Sequence, residues 1–338
     1  MSSASPVTAG PASTSPHGSP AGSLAHLPIT LFAAVMGIGG LGLAWRRAAL
    51  GWGTPMWVAD ALVLLAAAIF LVLAALYAAK WARFPAAARA ELRHPVRMSF
   101  APTITISVLV LATGLQDLAP GLARPLWWLG AIGHLVATLL VISAWLSRSD
   151  IQLAQVTPAW FIPVVGNVIT PLAAPALGST ELAWFAFGVG IMAWLALLPL
   201  VLHRLLLADS PLLPRLRPTL MILVAPPAVS LLALTSLLGG PLDPARKVLY
   251  GVAVFLTVLV VVQPGQLRLP FALSFLAYTF PLGALAGAAI AVDTAAGGGL
   301  TAYRVMAWLG LAAASIVVPL VVALTVRAAA RGAVLVPE

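Results

Sequence analysis

The sequence predicts an all-α integral membrane protein, with ten transmembrane helices paired as five helical hairpins and kinked odd-numbered helices forming an inner ring around a central pore. Three observations lead there. Of 338 residues, 62% are hydrophobic and 8% are charged, with a mean hydropathy of +1.05; an average soluble domain has about 25% charged residues. Apolar runs recur from end to end, and crossing a hydrocarbon core of about 30 Å takes about 20 such residues. The prolines fall mainly in alternate runs.

Residues 1–25 are rich in Ser, Pro, Ala and Gly and hold no Lys or Arg. A signal peptide needs a positive start and an apolar core, so this stretch reads as a disordered cytoplasmic tail, too poor in large apolar groups to offset the entropy of ordering. The ten apolar segments then span about 27–44, 56–79, 99–116, 125–146, 159–176, 182–203, 218–238, 246–263, 270–292 and 303–326. None alternates with a period of two, which speaks against a membrane β-barrel. Residues 26–327 thus read as one transmembrane domain, and 328–338 as a short cytoplasmic tail.

Lys and Arg gather in loops that stay in the cytoplasm. Lys80, Arg83, Arg89, Arg93 and Arg97 share the second loop; with Arg148, Arg204, Arg215, Arg217, Arg268, Arg327 and Arg331 they put twelve basic residues on the side of both termini. Arg46, Arg47, Arg124, Arg246, Lys247 and Arg304 put six on the other. Both termini are therefore expected in the cytoplasm, in a multi-pass protein of the cytoplasmic membrane. The net charge of +9 is explained by this topology, without a nucleic-acid partner.

Odd segments carry Pro28, Pro102, Pro163 with Pro171 and Pro175, the pair Pro226 and Pro227, and Pro281. Even segments two, four and eight have none well inside, while six and ten carry Pro199 and Pro319 toward their ends. A proline in a helix interior removes a hydrogen bond and kinks the helix. Membranes tolerate this where neighbouring helices or a water-filled cavity satisfy the freed groups.

Gly37, Gly39 and Gly42 satisfy the dinucleotide pattern G-x-G-x-x-G, but that motif needs a strand before it and a helix after it. Inside an apolar helix these glycines read as sites of close helix approach. The chain has no cysteine, and no His or carboxylate cluster has metal-ligand spacing. Asp60, Asp117 and Asp293 sit near segment ends, and His134 alone lies at depth, where it reads as a neutral hydrogen-bonded imidazole. No catalytic grouping can be assembled, so no enzyme and no cofactor or metal is expected.

What remains is a pore. Its lining or kink positions are Gly37, Pro102, Thr105, Pro163, Asn167, Pro226, Pro227, Tyr278, Thr279 and Pro281, with Thr103, Ser107, Thr170, Ser230 and Ser274 as further polar candidates. No Lys or Arg is expected at mid-depth, which suits conduction because an ion must leave as readily as it enters. A positive field would come from the charges at the cytoplasmic mouth.

Four strings, PITLFAAVMGIGGLGLAWRRA (28–48), PAWFIPVVGNVI (158–169), LRPTLMILVAPPAVSLLAL (216–234) and LAYTFPLGALA (276–286), resemble the tellurite-resistance/dicarboxylate transporter family over about residues 26–327. That family includes bacterial tellurite-resistance permeases, fungal malate permeases, sulfite pumps and slow anion channels of plant guard cells. The resemblance implies ten helices in five hairpins and a homotrimer in the lipid bilayer with one pore per subunit. It also implies a gating phenylalanine in a Y-T-F-P motif, here Tyr278, Thr279, Phe280 and Pro281, which makes Phe280 the gate. Where the family often has Gly, this chain has Ala33. The expected function is passive conduction of small inorganic or carboxylate anions through a phenylalanine-gated pore. The alternative is proton-coupled transport of a C4-dicarboxylate, sulfite or a tellurite-like oxyanion.

Overall fold

Prolines mark where α-helices begin in this chain, as a computed structural model shows for residues 23–208, 211–298 and 301–336. Pro102 is the N-cap of α4 (Thr103–Leu115), Pro163 lies in the first turn of α6 (Ile162–Val165), and Pro226 and Pro227 lie in the first turn of α9 (Ala225–Leu238). Pro281 is the third residue of α11 (Thr279–Ala295). Each of these helices follows a 3-10 stretch: Arg97–Phe100, Pro158–Phe161, Pro214–Val224 and Leu273–Tyr278. The reason is local: proline lacks an N–H, and the first-turn N–H groups of an α-helix have no intrahelical partner to lose. The expected mid-helix kinks are thus junctions between 3-10 and α geometry. Prolines inside long α-helices are Pro125, Pro199 and Pro319, in α5 (Pro120–Leu146), α8 (Thr180–Leu207) and α12 (Thr301–Ala330).

The remaining helices are α1 (Phe32–Trp52), α2 (Met56–Arg83), α3 (Pro85–Arg93), α7 (Ala174–Leu177) and α10 (Pro244–Val261). Among the described residues there is no strand, and nine helical stretches are long and apolar enough to cross a membrane. The fifth segment departs from a single span: from Pro158 to Leu177 it is a chain of 3-10 turns interrupted by α6 and ended by α7. Its irregular backbone is satisfied by neighbours, as hydrocarbon requires. Thr138 Oγ1 donates to the Pro163 carbonyl at 2.7 Å, Trp127 Nε1 to that of Thr170 at 2.9 Å and Ser236 Oγ to that of Leu172 at 3.2 Å.

α1 runs eight residues beyond the end expected at residue 44, because LAWRRAAL continues good helix formers to Leu50 and the helix closes only at Gly53, φ +72°. Arg46 and Arg47, expected in a loop, are therefore helical. The short amphipathic α3 was not anticipated.

Burial alternates along the chain. The stretches Ile29–Trp52, Arg97–Leu115, Pro214–Leu238 and Leu273–Ala295 are mostly buried, whereas α2, α5, α8, α10 and α12 are mostly exposed. Each buried stretch packs on the exposed helix that follows: α1 on α2, α4 on α5, the fifth segment on α8, α9 on α10 and α11 on α12. The exposed helices present Leu71, Leu139, Met192, Phe255 and Ile316. Such a surface is costly in water and ordinary against lipid tails.

Candidate functional site

The buried stretches enclose a cavity of about 730 Å³ that opens toward the end of the bundle holding α3. All five odd segments line it: Thr30, Ala33 and Met36; Phe100, Thr103 and Ile106; Phe161, Val165 and Ile169; Ile222, Pro226 and Val229; and Ala277, Phe280 and Pro281. Spacings of three or four residues put each set on one helix face. At its mouth the wall adds His94, Arg97 and Arg215, and among the described residues no carboxylate lines it.

A second, narrow cavity of about 20 Å³ continues one to two turns further along the same faces. It is lined by Gly40, Leu43, Ala44 and Arg47 of α1, Leu172, Val229 and Leu232, and Phe280, Gly283, Ala284 and Gly287 of α11. Phe280 and Val229 belong to both cavities. Phe280 thus lies on the walls of both spaces, which share α1, α9 and α11 as lining elements.

Glycines set the position of that ring by letting α1 and α11 cross closely. A β-carbon at Gly37 would lie 2.1 Å from Thr279 Oγ1, and one at Gly283 would lie 2.8 Å from the Gly40 carbonyl carbon. Gly40 faces the ring itself, with a β-carbon there 3.1 Å from Phe280 Cδ2. Thr279 Oγ1 donates to the Leu276 carbonyl at 2.7 Å and approaches that of Ala33 at 3.5 Å. This ties the 3-10 to α junction of the ninth segment to α1.

The other candidate positions divide. Phe280, Pro226 and Pro281 are on the wall of the large cavity, as are Thr103 and Ser274. Gly37, Thr279 and Pro227 are packed behind it, and Pro102 caps α4. Thr105 Oγ1 sits 2.8 Å from Nδ1 of the fully buried His134, whose ring fills the space left by Gly166. Asn167 is fully buried and donates to Thr138 Oγ1 at 2.8 Å and to the Val164 carbonyl at 2.9 Å. Pro163 supplies the carbonyl that Thr138 caps. Tyr278 accepts a hydrogen bond from Gln266 Nε2 at 2.8 Å. Ser107 is turned onto the backbone of Phe32 and Thr103. Polar side chains at these depths serve the irregular backbone first, and the cavity wall is mainly apolar.

Arg47 on the wall of the second cavity was missed, since two consecutive arginines read as a helix end. The signal against that reading was the run of helix formers LAWRRAAL through Leu50. Among the described residues no group of three or more His, Cys, Asp or Glu is placed to hold a metal.

The sequence is similar to those of known proteins. The S-type anion channel SLAH3 of Arabidopsis thaliana is 31% identical over 277 residues, covering 79% of this chain and 43% of that protein. The tellurite resistance protein TehA homolog of Haemophilus influenzae is 30% identical over 226 residues, covering 67% of this chain and 68% of that one. An uncharacterized transporter of Methanocaldococcus jannaschii, MJ0762, is 28% identical over 239 residues, or 64% of this chain and 70% of that one. The match thus spans less than half of the plant channel's length. The family model for voltage-dependent anion channels matches residues 26–327, nearly the whole described helical assembly, and the chain belongs to that family.

Proposed function

We propose that this chain is a multi-pass anion channel whose permeation path runs through the two cavities and is closed by Phe280. The observation that carries the reading is the shared position of Phe280, which lines both spaces. An apolar ring in a narrow apolar neck blocks ions by dewetting, without a bond to break. Arg97 and Arg215 at the wide mouth raise local anion concentration over a screening length of about 8 Å. A wall without carboxylates offers an anion no repulsion.

In this reading the ten segments are five hairpins, their proline-started odd members forming the inner ring and their even members facing lipid. Residues 26–327 are the channel domain, the wide mouth and both termini face the cytoplasm, and the membrane is the cytoplasmic one. The assembly is a homotrimer with one pore per subunit, as the family resemblance implies. The names of the plant and Haemophilus relatives support small anions as the cargo.

The deciding experiment is flux through purified protein in proteoliposomes, with chloride, nitrate, sulfite, malate and tellurite, with and without a pH gradient. A channel gives a reversal potential that follows the anion gradient alone. A reversal potential that also moves with pH overturns the channel reading in favour of proton-coupled transport.

A further inference from the structure

Beyond Phe280, the narrow second cavity runs along α1 to Arg47. We propose that Arg47 is an anion-binding residue in the outer half of the path, holding a halide or nitrate-sized monovalent anion after it has passed the phenylalanine. The proposal rests on reading the two cavities as one path.

Among the arginines at this end of the bundle, Arg46, Arg246 and Arg304 have carboxylate partners, Arg246 on Asp243. Arg46 pairs with Asp117. Arg304 Nε donates to Asp293 Oδ2 at 2.6 Å, and the same oxygen accepts from Trp52 Nε1 at 2.9 Å. Arg47, about 100° further round the helix than Arg46, has no ion pair or hydrogen bond among the described residues. Its side chain runs beside Gly287, where a β-carbon would meet Arg47 Cδ at 3.7 Å.

The surroundings make a single charge count. Leu43, Leu172, Val229, Leu232 and Ala284 are the larger apolar residues of the wall, so among the described residues the half-buried Arg47 is the one charged side chain on a mainly apolar surface. Arginine stays charged at any physiological pH and presents five planar donors, a geometry that suits a halide and matches planar nitrate in bidentate fashion. The space of about 20 Å³ admits one water-sized group. From Gly40 to Arg47 is seven residues, about 10 Å along the helix. The basic mouth and Arg47 thus form two stations of weak attraction on either side of an apolar neck, an arrangement that lets an ion move on from each.

Chloride flux is measured in proteoliposomes on a Phe280→Ala background, so that opening is not limiting. Adding Arg47→Gln should raise the half-saturating chloride concentration, or lower the chloride-to-potassium permeability ratio, by about tenfold; Arg47→Lys should stay within about threefold. In parallel, nitrate should raise the melting temperature of the otherwise unaltered chain, and Arg47→Gln should lose at least half of that rise. Flux and nitrate response unchanged in Arg47→Gln would overturn the proposal, as would equal impairment by Gln and Lys, which marks a packing role. If Phe280→Ala leaves flux unchanged, the gate reading fails, and the nitrate response still decides for or against Arg47.

Discussion

The ring of Phe280 is seated on the bare backbone of Gly40: a β-carbon at Gly40 would stand 3.1 Å from Cδ2 and 3.6 Å from Cε2. The position of the ring is therefore set by the α1–α11 crossing. Removing the ring leaves α11 in place, since Phe280 is only partly buried and its neighbours Thr279 and Pro281 hold the junction. Phe280→Ala is expected to raise passive chloride efflux from proteoliposomes at least about tenfold, because an apolar neck that widens past the dewetting limit conducts. Efflux equal to that of the unaltered chain, from protein with the same gel-filtration profile, would exclude the gate.

Gly283 tests the crossing independently of the gate. Its missing side chain leaves the Gly40 carbonyl carbon where a β-carbon would come within 2.8 Å, and backbone cannot swing away as a side chain can. Gly283→Ala is expected to destabilise the protein by about 1–3 kcal/mol, the usual cost of overpacking, read as a lower melting temperature by tryptophan fluorescence in detergent. Gly310→Ala is the control: its β-carbon would meet Ala286 Cα at an ordinary 3.5 Å, so stability should hold or rise slightly through better helix propensity.

Hydropathy made nine long spans legible because length and composition alone decide them. Proline spacing also distinguished the buried stretches from the exposed ones. Where those prolines sit was less legible: Pro163, Pro226 and Pro281 begin α-helices after 3-10 turns, a distinction of one hydrogen-bond register that apolar periodicity does not encode. The roles of Thr105, Asn167 and Ser107 were hidden for a related reason. A hydroxyl at depth reads equally as pore lining or as a cap for stray carbonyls, and only the fold shows Thr105 against His134, Asn167 on Thr138 and Ser107 on Thr103. Arg47 escaped because charge is the strongest signal for a helix end.

At the α3 end, Glu91 is the anchor of a buried polar group. Its Oε2 accepts from Lys80 Nζ at 2.6 Å and from the Tyr77 hydroxyl at 2.9 Å, and its Oε1 accepts from the Ile29 N–H at 2.8 Å. Lys80 also donates to the Leu27 carbonyl at 2.7 Å, so α2, α3 and the approach to α1 meet on two charges. Glu91→Ala strands a buried ammonium and is expected to cost about 3–5 kcal/mol. The paired change Lys80→Met with Glu91→Leu should recover much of that loss, since no charge is then left unpaired. Additive losses in the melting temperatures of the double variant would show that the pair is not coupled.

Asp243 gives the helical assembly a sensitivity to acid at its opposite end. It is the N-cap of α10; the Arg246 N–H donates to its carboxylate at 2.9 Å and the guanidinium Nε at 2.6 Å. The N–H, aided by the Arg246 side chain, holds the Asp243 pKa below its ordinary value. A carboxyl depressed by folding adds stability above its unfolded pKa, about 4, and loses it as pH falls through the lower folded value. Asp243→Ala removes cap and charge together, so its melting temperature should lie below that of the unaltered chain by a constant gap from about pH 5 to pH 8, worth about 1 kcal/mol for the cap. As pH falls below about 4 the gap should narrow toward the share of the cap oxygen alone, because a protonated carboxyl still offers a carbonyl oxygen to the Arg246 N–H. Asp243→Asn keeps an oxygen for the Arg246 N–H, so its smaller gap isolates the charge and should vanish over the same acid range. A gap independent of pH down to about pH 2 would show that the carboxylate charge contributes nothing there.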